Sequence, residues 1–192
     1  MNTFNIYLAG VGGQGIGLIS EIMLRAADHA GLNALGVDTH GLAQRGGIVS
    51  SHIRIGDNIH SPLVSKHSAN LVISLERHEA LRAAADYLGS GGTLVYYDTS
   101  WQPLPVRLKK AAEIKAEQLE EYCRKGSFKL YAVHHADLPD PRMQNIALLA
   151  EVCKNRLVSS LTADNYRAAM HDLMSGGMLQ SNIELFDRLL DK

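Results

Sequence analysis

The 192-residue chain is 46% hydrophobic and 20% charged, with a formal net charge of −1, the balance of a soluble globular protein large enough to bury a full core. Near-neutrality removes nucleic acid from the expected partners, and the absence of a bilayer-length apolar run or a basic-then-apolar N-terminus predicts a cytoplasmic protein with no membrane attachment. The two cysteines, Cys123 and Cys153, and nine histidines show no ligand spacing, so no metal site is expected: two thiols cannot furnish the four ligands of an iron–sulfur cluster or a structural zinc.

Residues 4–9 form an apolar, strand-like run that feeds five glycines in the eight positions from Gly10 to Gly17. A glycine turn lets backbone approach a ligand or partner closely, and the helix that follows aims unpaired N–H groups and a positive dipole end at the same place. The spacing Gly10-x-Gly12-x-x-Gly15 fits the dinucleotide fingerprint. From about Gln14 to Ala30, Leu18, Ile19, Ile22, Met23, Ala26, Ala27 and Ala30 share one helical face, and Gly31 is placed to end that helix. Residues 33–38 are a second strand. Strand, turn, helix and strand make a βαβ unit, which predicts parallel pairing with a right-handed crossover.

Then comes a polar loop, Thr39-His40-Gly41-Leu42-Ala43-Gln44-Arg45-Gly46-Gly47, which leads with no intervening helix into a β-branched strand over 48–55 with one wetter face. A parallel pair needs a long crossover, so this strand is expected to be antiparallel to its predecessor or elsewhere in the sheet. A dinucleotide-binding fold would place a helix there. Arg45 between glycines could clamp a carboxylate or phosphate, or form an inter-subunit ion pair.

A second βαβ unit follows: strand 69–74, helix 76–88 and strand 93–98, with Gly89, Gly91 and Gly92 stopping the helix. Glu76 beside His78 could act as an acid/base pair, but an acidic residue in a first helical turn is explained by the dipole. Residues 107–125 form a charged, solvated helix, and 129–134 a last strand. The remainder is helical: 142–157 opened by Asp140 and Pro141, 163–174 opened by Thr162, and 178–190 with Leu179, Ile183, Phe186 and Leu190 as its buried stripe. The fold class is therefore α/β: a three-layer α/β/α sandwich, Rossmann-like, with a largely parallel (mixed) sheet and a helical C-terminal region, residues 1–192 forming one domain. No Walker lysine, nucleophile elbow or zinc-deaminase pattern is present. The chain carries no complete catalytic apparatus.

Together, Ala9-Gly10-Val11-Gly12-Gly13-Gln14-Gly15, His40 through Arg54, Ser61-Pro62-Leu63-Val64, Ala69 through Glu76 and Gly91-Gly92-Thr93-Leu94-Val95 resemble the gamma-type domain of thiamine-diphosphate-dependent 2-oxoacid:ferredoxin oxidoreductases. Within that family they resemble the small (beta) subunit of the indolepyruvate enzymes in particular. The likeness recurs at Asn145 and from Asn182 to Phe186, whereas Leu149-Ala150 and Asp187-Arg188 depart from the family's usual glycines. The resemblance implies a subunit that is not catalytic alone. Thiamine diphosphate, Mg²⁺ and iron–sulfur clusters would reside in partner subunits, ferredoxin would be reached through the complex, and coenzyme A would lie at the interface. The complex would oxidatively decarboxylate 2-oxoacids such as indolepyruvate or another aryl pyruvate. Gly10, Gly12, Gly13, Gln14, Gly15, His40, Gln44, Arg45, Gly46 and Gly47 are the expected cofactor-binding or partner-facing residues. The alternative is a free-standing protein that binds NAD or a similar nucleotide through the glycine loop.

Overall fold

A computed structural model describes residues 3–39, 47–101, 104–110 and 112–191. Strands β1 (Phe4–Val11), β2 (Ala34–Thr39), β3 (Ile48–Ile55), β4 (Ala69–Ser74), β5 (Leu88–Tyr97) and β6 (Lys129–Val133) form one sheet in the order β2-β3-β1-β4-β5-β6. β1, β4, β5 and β6 are mutually parallel, while β3 is antiparallel to both of its neighbours, β1 and β2. The expected antiparallel relation of the second and third strands holds. Direct parallel pairing of the first and second does not, because β3 is wedged between them. A strand reached by a short loop reverses direction and competes for the open edge of β1 before β2 can take it.

The helices are α1 (Ile16–His29), α2 (Arg77–Tyr87), α3 (Leu104–Arg107), α4 (Ala116–Gly126), α5 (Gln144–Lys154), α6 (Ala163–Leu173) and α7 (Gly176–Leu190). One face of the sheet, presenting Ile6, Leu8, Ile53, Ile73 and Val95, packs under α1, α5, α6 and α7. The other, presenting Tyr7, Ala9, Val72, Leu94 and Tyr96, packs under α2 and α4. Alternation along β1 sends its side chains to both layers, and each fully buried aliphatic chain contributes about 1.5–3 kcal/mol. Thr162 caps α6 as expected, accepting the Asn165 N–H at 3.4 Å, whereas Asp140, expected to open the helix over 142–157, accepts the Arg142 N–H at 2.8 Å in the turn ahead of α5, whose own start has no side-chain cap.

Several local expectations are corrected. β5 begins at Leu88, so Gly89, Gly91 and Gly92 lie inside the strand rather than between helix and strand. They form an irregularity in the β4–β5 register, where a Cβ on Gly92 would meet the Gly89 carbonyl oxygen at 2.9 Å. The single helix over 107–125 is two pieces. Lys109 takes a positive φ, the Ile114 N–H donates to His78 Nε2 at 3.0 Å, and α4 starts afresh where Gln118 Oε1 accepts the Lys115 N–H. Nor is α4 wholly solvated, since Leu119 and Cys123 are buried against α2. Residues 141–143 are a 3-10 turn ahead of α5. The α7 stripe is rotated by one position: Asn182, Leu185, Phe186 and Leu189 are buried, with Leu179, Ile183 and Leu190 on its flanks.

β3 has the wetter face expected, with Ile48 exposed and Arg54 half-buried on one side and Ser51, Ile53 and Ile55 fully buried on the other. As an inner strand it buries Ser51 and His52. The His52 ring stands edge-on to Tyr7 and to Tyr87, which stack on one another with centroids 3.7 Å apart. His52 Nδ1 accepts the Val64 N–H at 3.1 Å, which anchors the connection between β3 and β4. Burial lowers the His52 pKa. The folded state therefore resists protonation at a pH where the unfolded chain, with a pKa of about 6.5, already takes a proton. Stability is complete above that value and falls as pH drops toward the depressed folded value. Urea midpoints between pH 8 and pH 5 (~ range spanning that pKa) should decline accordingly. His52→Gln, which keeps an acceptor and does not titrate, should flatten the slope; an unchanged slope would assign it to other groups.

Candidate functional site

α1 leaves β1 toward one face and α2 leaves β4 toward the other. The carboxyl ends of these adjacent parallel strands are thus the topological switch point, where open α/β sheets place ligands. Here the crevice is spanned by the protein's own Gln14, 5% exposed. Its Oε1 accepts the Val11 N–H and its Nε2 donates to the Leu75 carbonyl, both at 2.8 Å, and the Leu75 N–H donates to the Ala9 carbonyl at 3.1 Å. A carboxamide has the donor and the acceptor needed to bridge two strand ends that a carboxylate or an apolar chain would leave unpaired.

Gly10, one residue before the end of β1, lies against Ile16 and Gln14. The Gly12 N–H donates to the Gly47 carbonyl at 2.9 Å, so the structure joins the glycine loop to the foot of β3. Gly13 has φ +98 and open space above it. Gly15 precedes α1 with φ +89 and no side-chain cap. A Cβ there would lie 2.6 Å from Asn145 Nδ2, which brings the start of α5 onto the loop. His40, Gln44, Arg45 and Gly46 lie outside the described residues.

Beside this loop, Glu76 is fully buried and caps α2. Its carboxylate accepts the His78 and Glu79 backbone N–H groups. Because His78 Nε2 accepts from Ile114, His78 Nδ1 bears the proton and donates to Glu76 at 3.1 Å. Both ring nitrogens are engaged, so this pair fastens the segment before α4 and offers no acid or base to a substrate. Arg77 pairs with Asp98 at the end of β5, and the resulting charge match raises its pKa. Cys123 lies on α4 and Cys153 on α5, across the sheet. Burial pushes the Cys123 thiol up to about 11. The two thiols do not fit a shared cluster, and among the described residues no three His, Cys, Asp or Glu side chains gather as a metal site. No helix among them is long and apolar enough to cross a membrane.

Three large apolar side chains are exposed toward the same end of the sheet. Ile48 opposite Val11, Trp101 beyond β5 and Met178 in the first turn of α7 are each about half exposed or more, at 52%, 49% and 58%. Periodicity does not single these out, although Met178 does fall beside the apolar stripe of its helix. A groove of about 660 Å³ between α1 and α7 continues this edge, with Asn145 in its wall.

A profile of the pyruvate ferredoxin/flavodoxin oxidoreductase family matches residues 5–191. The chain belongs to that family. An 80-residue stretch is 52% identical to the indolepyruvate oxidoreductase subunit IorB of Archaeoglobus fulgidus, covering 42% of this chain and 39% of that protein. A 105-residue stretch is 38% identical to the protein of the same name from Pyrococcus horikoshii, covering 55% and 50%. The matched stretches thus span half or less of these curated relatives. Among solved structures, the gamma subunit of a keto/oxoacid ferredoxin oxidoreductase from Geobacter sulfurreducens superposes with a TM-score of 0.68 at 20% identity, covering 98% of this chain and 96% of that one. A 2-oxoglutarate:ferredoxin oxidoreductase from Magnetococcus marinus, solved with 2-oxoglutarate, coenzyme A and succinyl-CoA bound, superposes at 0.70 and 16% identity over 98% of this chain and 30% of that one. These structural likenesses establish the fold: the predicted mixed, largely parallel α/β sheet with helices on both faces.

Proposed function

We propose that this family member serves as the gamma-type subunit of a 2-oxoacid:ferredoxin oxidoreductase. The end of the sheet bearing Gly10, Gly12, Gly13, Gln14, Gly15 and Gly47 packs against the subunits that hold the redox and thiamine cofactors. The observation that carries this reading is the occupied switch point: Gln14 spans the crevice at the ends of β1 and β4, while Ile48, Trp101 and Met178 are exposed. Such an edge suits protein contact and argues against a free-standing NAD site. Thiamine diphosphate held elsewhere in the complex supplies the carbanion-stabilising chemistry of decarboxylation, and partner iron–sulfur clusters pass the electrons to ferredoxin. This chain's part is to close the active-site mouth or coenzyme A site and exclude water. Arg45 pairs with a partner carboxylate or a ligand anion. Indolepyruvate or another aryl pyruvate is the substrate, supported by the name of the 52%-identical relative.

Anaerobic affinity purification of the tagged chain from its source cells tests this. A larger, brown, thiamine-containing partner is the expected companion, and a panel of 2-oxoacids assayed on that complex should be led by indolepyruvate. A chain recovered alone and colourless, and stabilised by NAD in a thermal-shift screen, would overturn the reading.

A further inference from the structure

We infer that His52 is a proton-operated latch on the strap that joins β3 to β4, residues 56–68: the neutral ring holds the middle of the strap on the sheet, and a protonated ring lets that middle lift while the sheet stays folded. The ends of the strap are tied by groups that neither gain nor lose a proton near neutral pH. At its start, the Gly56 N–H donates to the Asn33 carbonyl at 2.9 Å and Arg54 Nη1 to the Ser61 carbonyl at 3.0 Å. At its end, Asn5 Nδ2 donates to the Ser68 carbonyl and the His67 N–H to the Asp86 carbonyl, both at 3.0 Å. Between them, the Val64 N–H donates to His52 Nδ1 at 3.1 Å. That bond needs a lone pair. Nδ1 is therefore the bare nitrogen, with the proton on Nε2. An imidazolium is a donor at both nitrogens and would set N–H against N–H, so a proton removes the middle tie and leaves the ends in place.

The middle of the strap is lightly packed. Ile59 and Val64 are buried, whereas Leu63, beside the tie, is 57% exposed. A segment with few buried contacts opens at lower cost than the sheet beneath it. The ring itself sits where a charge is disfavoured: it meets Tyr7 from β1 and Tyr87 from α2, Val37 opposite it on β2 and Val64, and burial lowers its pKa. The charged groups on those elements are engaged with others. On α2 and the strap, Arg82 pairs with Glu79 and Asp86, Lys66 with Asp86, and Glu76 with His78. Asp38 on β2 accepts from Ser20, and Arg54 on β3 also donates to Asn5. His60 and His67, the other histidines of the strap, are exposed.

Linkage then makes the latch release on the acid side. Above about pH 6.5, the ordinary imidazole value, the ring is neutral with the strap open or closed, and the latch holds. Below it, the open form takes up a proton that the closed form resists. The open population then grows by up to about tenfold per pH unit until the lowered value of the closed form is reached.

Amide hydrogen exchange on the full chain, corrected for the intrinsic rate at each pH, reads the latch directly. From about pH 7.5 to about pH 5, protection of the Val64 amide should fall at least about tenfold. Its exchange should be insensitive to sub-denaturing urea, as local openings are, whereas β1 amides should exchange through the urea-sensitive global transition. Ring-nitrogen chemical shifts at the higher pH should show His52 as the Nε2–H tautomer. His52→Gln keeps an acceptor but does not titrate, so the pH dependence at Val64 should vanish. His60→Gln and His67→Gln should leave it as in the wild type. A Val64 protection that is flat across this range, that falls as steeply in His52→Gln, or that responds to urea as β1 does would overturn the inference. So would an Nδ1–H tautomer, which is measured on the unmodified chain and does not depend on any variant folding.

Discussion

Replacing Gln14 by alanine should destabilise the isolated chain by about 2–4 kcal/mol, since a buried donor or acceptor stripped of its partner costs about 1–3 kcal/mol and this change strips two. The Val11 N–H and the Leu75 carbonyl both depend on the Gln14 carboxamide, and both sit at strand ends with little water to replace it. With a urea m-value of about 1–3 kcal/mol/M, the midpoint should fall by roughly 1–2 M. Gln14→Met fills similar volume and should still lose most of the same stability, which separates hydrogen bonding from packing. Gln14→Glu retains an acceptor for Val11 but turns an oxygen toward the Leu75 carbonyl, so it should fall between wild type and alanine only when protonated. A midpoint for Gln14→Ala within about 0.5 kcal/mol of wild type, the usual range for a surface change, would mean that the carboxamide is not what joins β1 to β4.

Gly15→Ala should cost about 2–3 kcal/mol and also impair assembly. Its backbone, at φ +89, lies where an L side chain is strained by about 1–2 kcal/mol, and the added Cβ would meet Asn145 Nδ2 at 2.6 Å. The strain and the collision separate in a double-mutant cycle: Gly15→Ala combined with Asn145→Ala relieves the contact but not the φ. A coupling of about 1 kcal/mol is expected for residues in direct contact. If the two costs simply add, Asn145 moves aside freely and does not brace the loop. Because Gly15 lies at the junction of the glycine-loop edge and the α1–α7 groove, the variant should also bind the partner complex less tightly at a protein concentration and temperature where it remains folded.

The second polar loop shows how unevenly sequence and structure inform the site. Its residues singled out for partner or ligand contact included Arg45, yet the described geometry reaches only Gly47, whose carbonyl accepts the Gly12 N–H. Gln14 stood out in the sequence as a member of a glycine motif. Nothing local could reveal that it stitches the loop to Leu75, 61 positions away. Glu76 was legible as a helix-opening acid, whereas the demand of Ile114 on His78, which removes that pair from any acid–base role, is a contact across the fold.

The sequence by itself determined what depends on near neighbours. Apolar and β-branched runs set the strands, the 3.6-residue stripe set α1, Thr162 set the start of α6, and the glycine-loop and Gln-Arg-Gly-Gly motifs marked the family, because capping, turn and amphipathic preferences act over a few residues. Only the tertiary structure decided the wedging of β3 between β1 and β2, the buried polar residues of that inner strand, the glycine irregularity at the head of β5 and the break ahead of α4. Each is settled by hydrogen bonds and burial between segments far apart in the chain, where the alternatives are locally equivalent and the neighbour that arrives in space, not in sequence, selects among them.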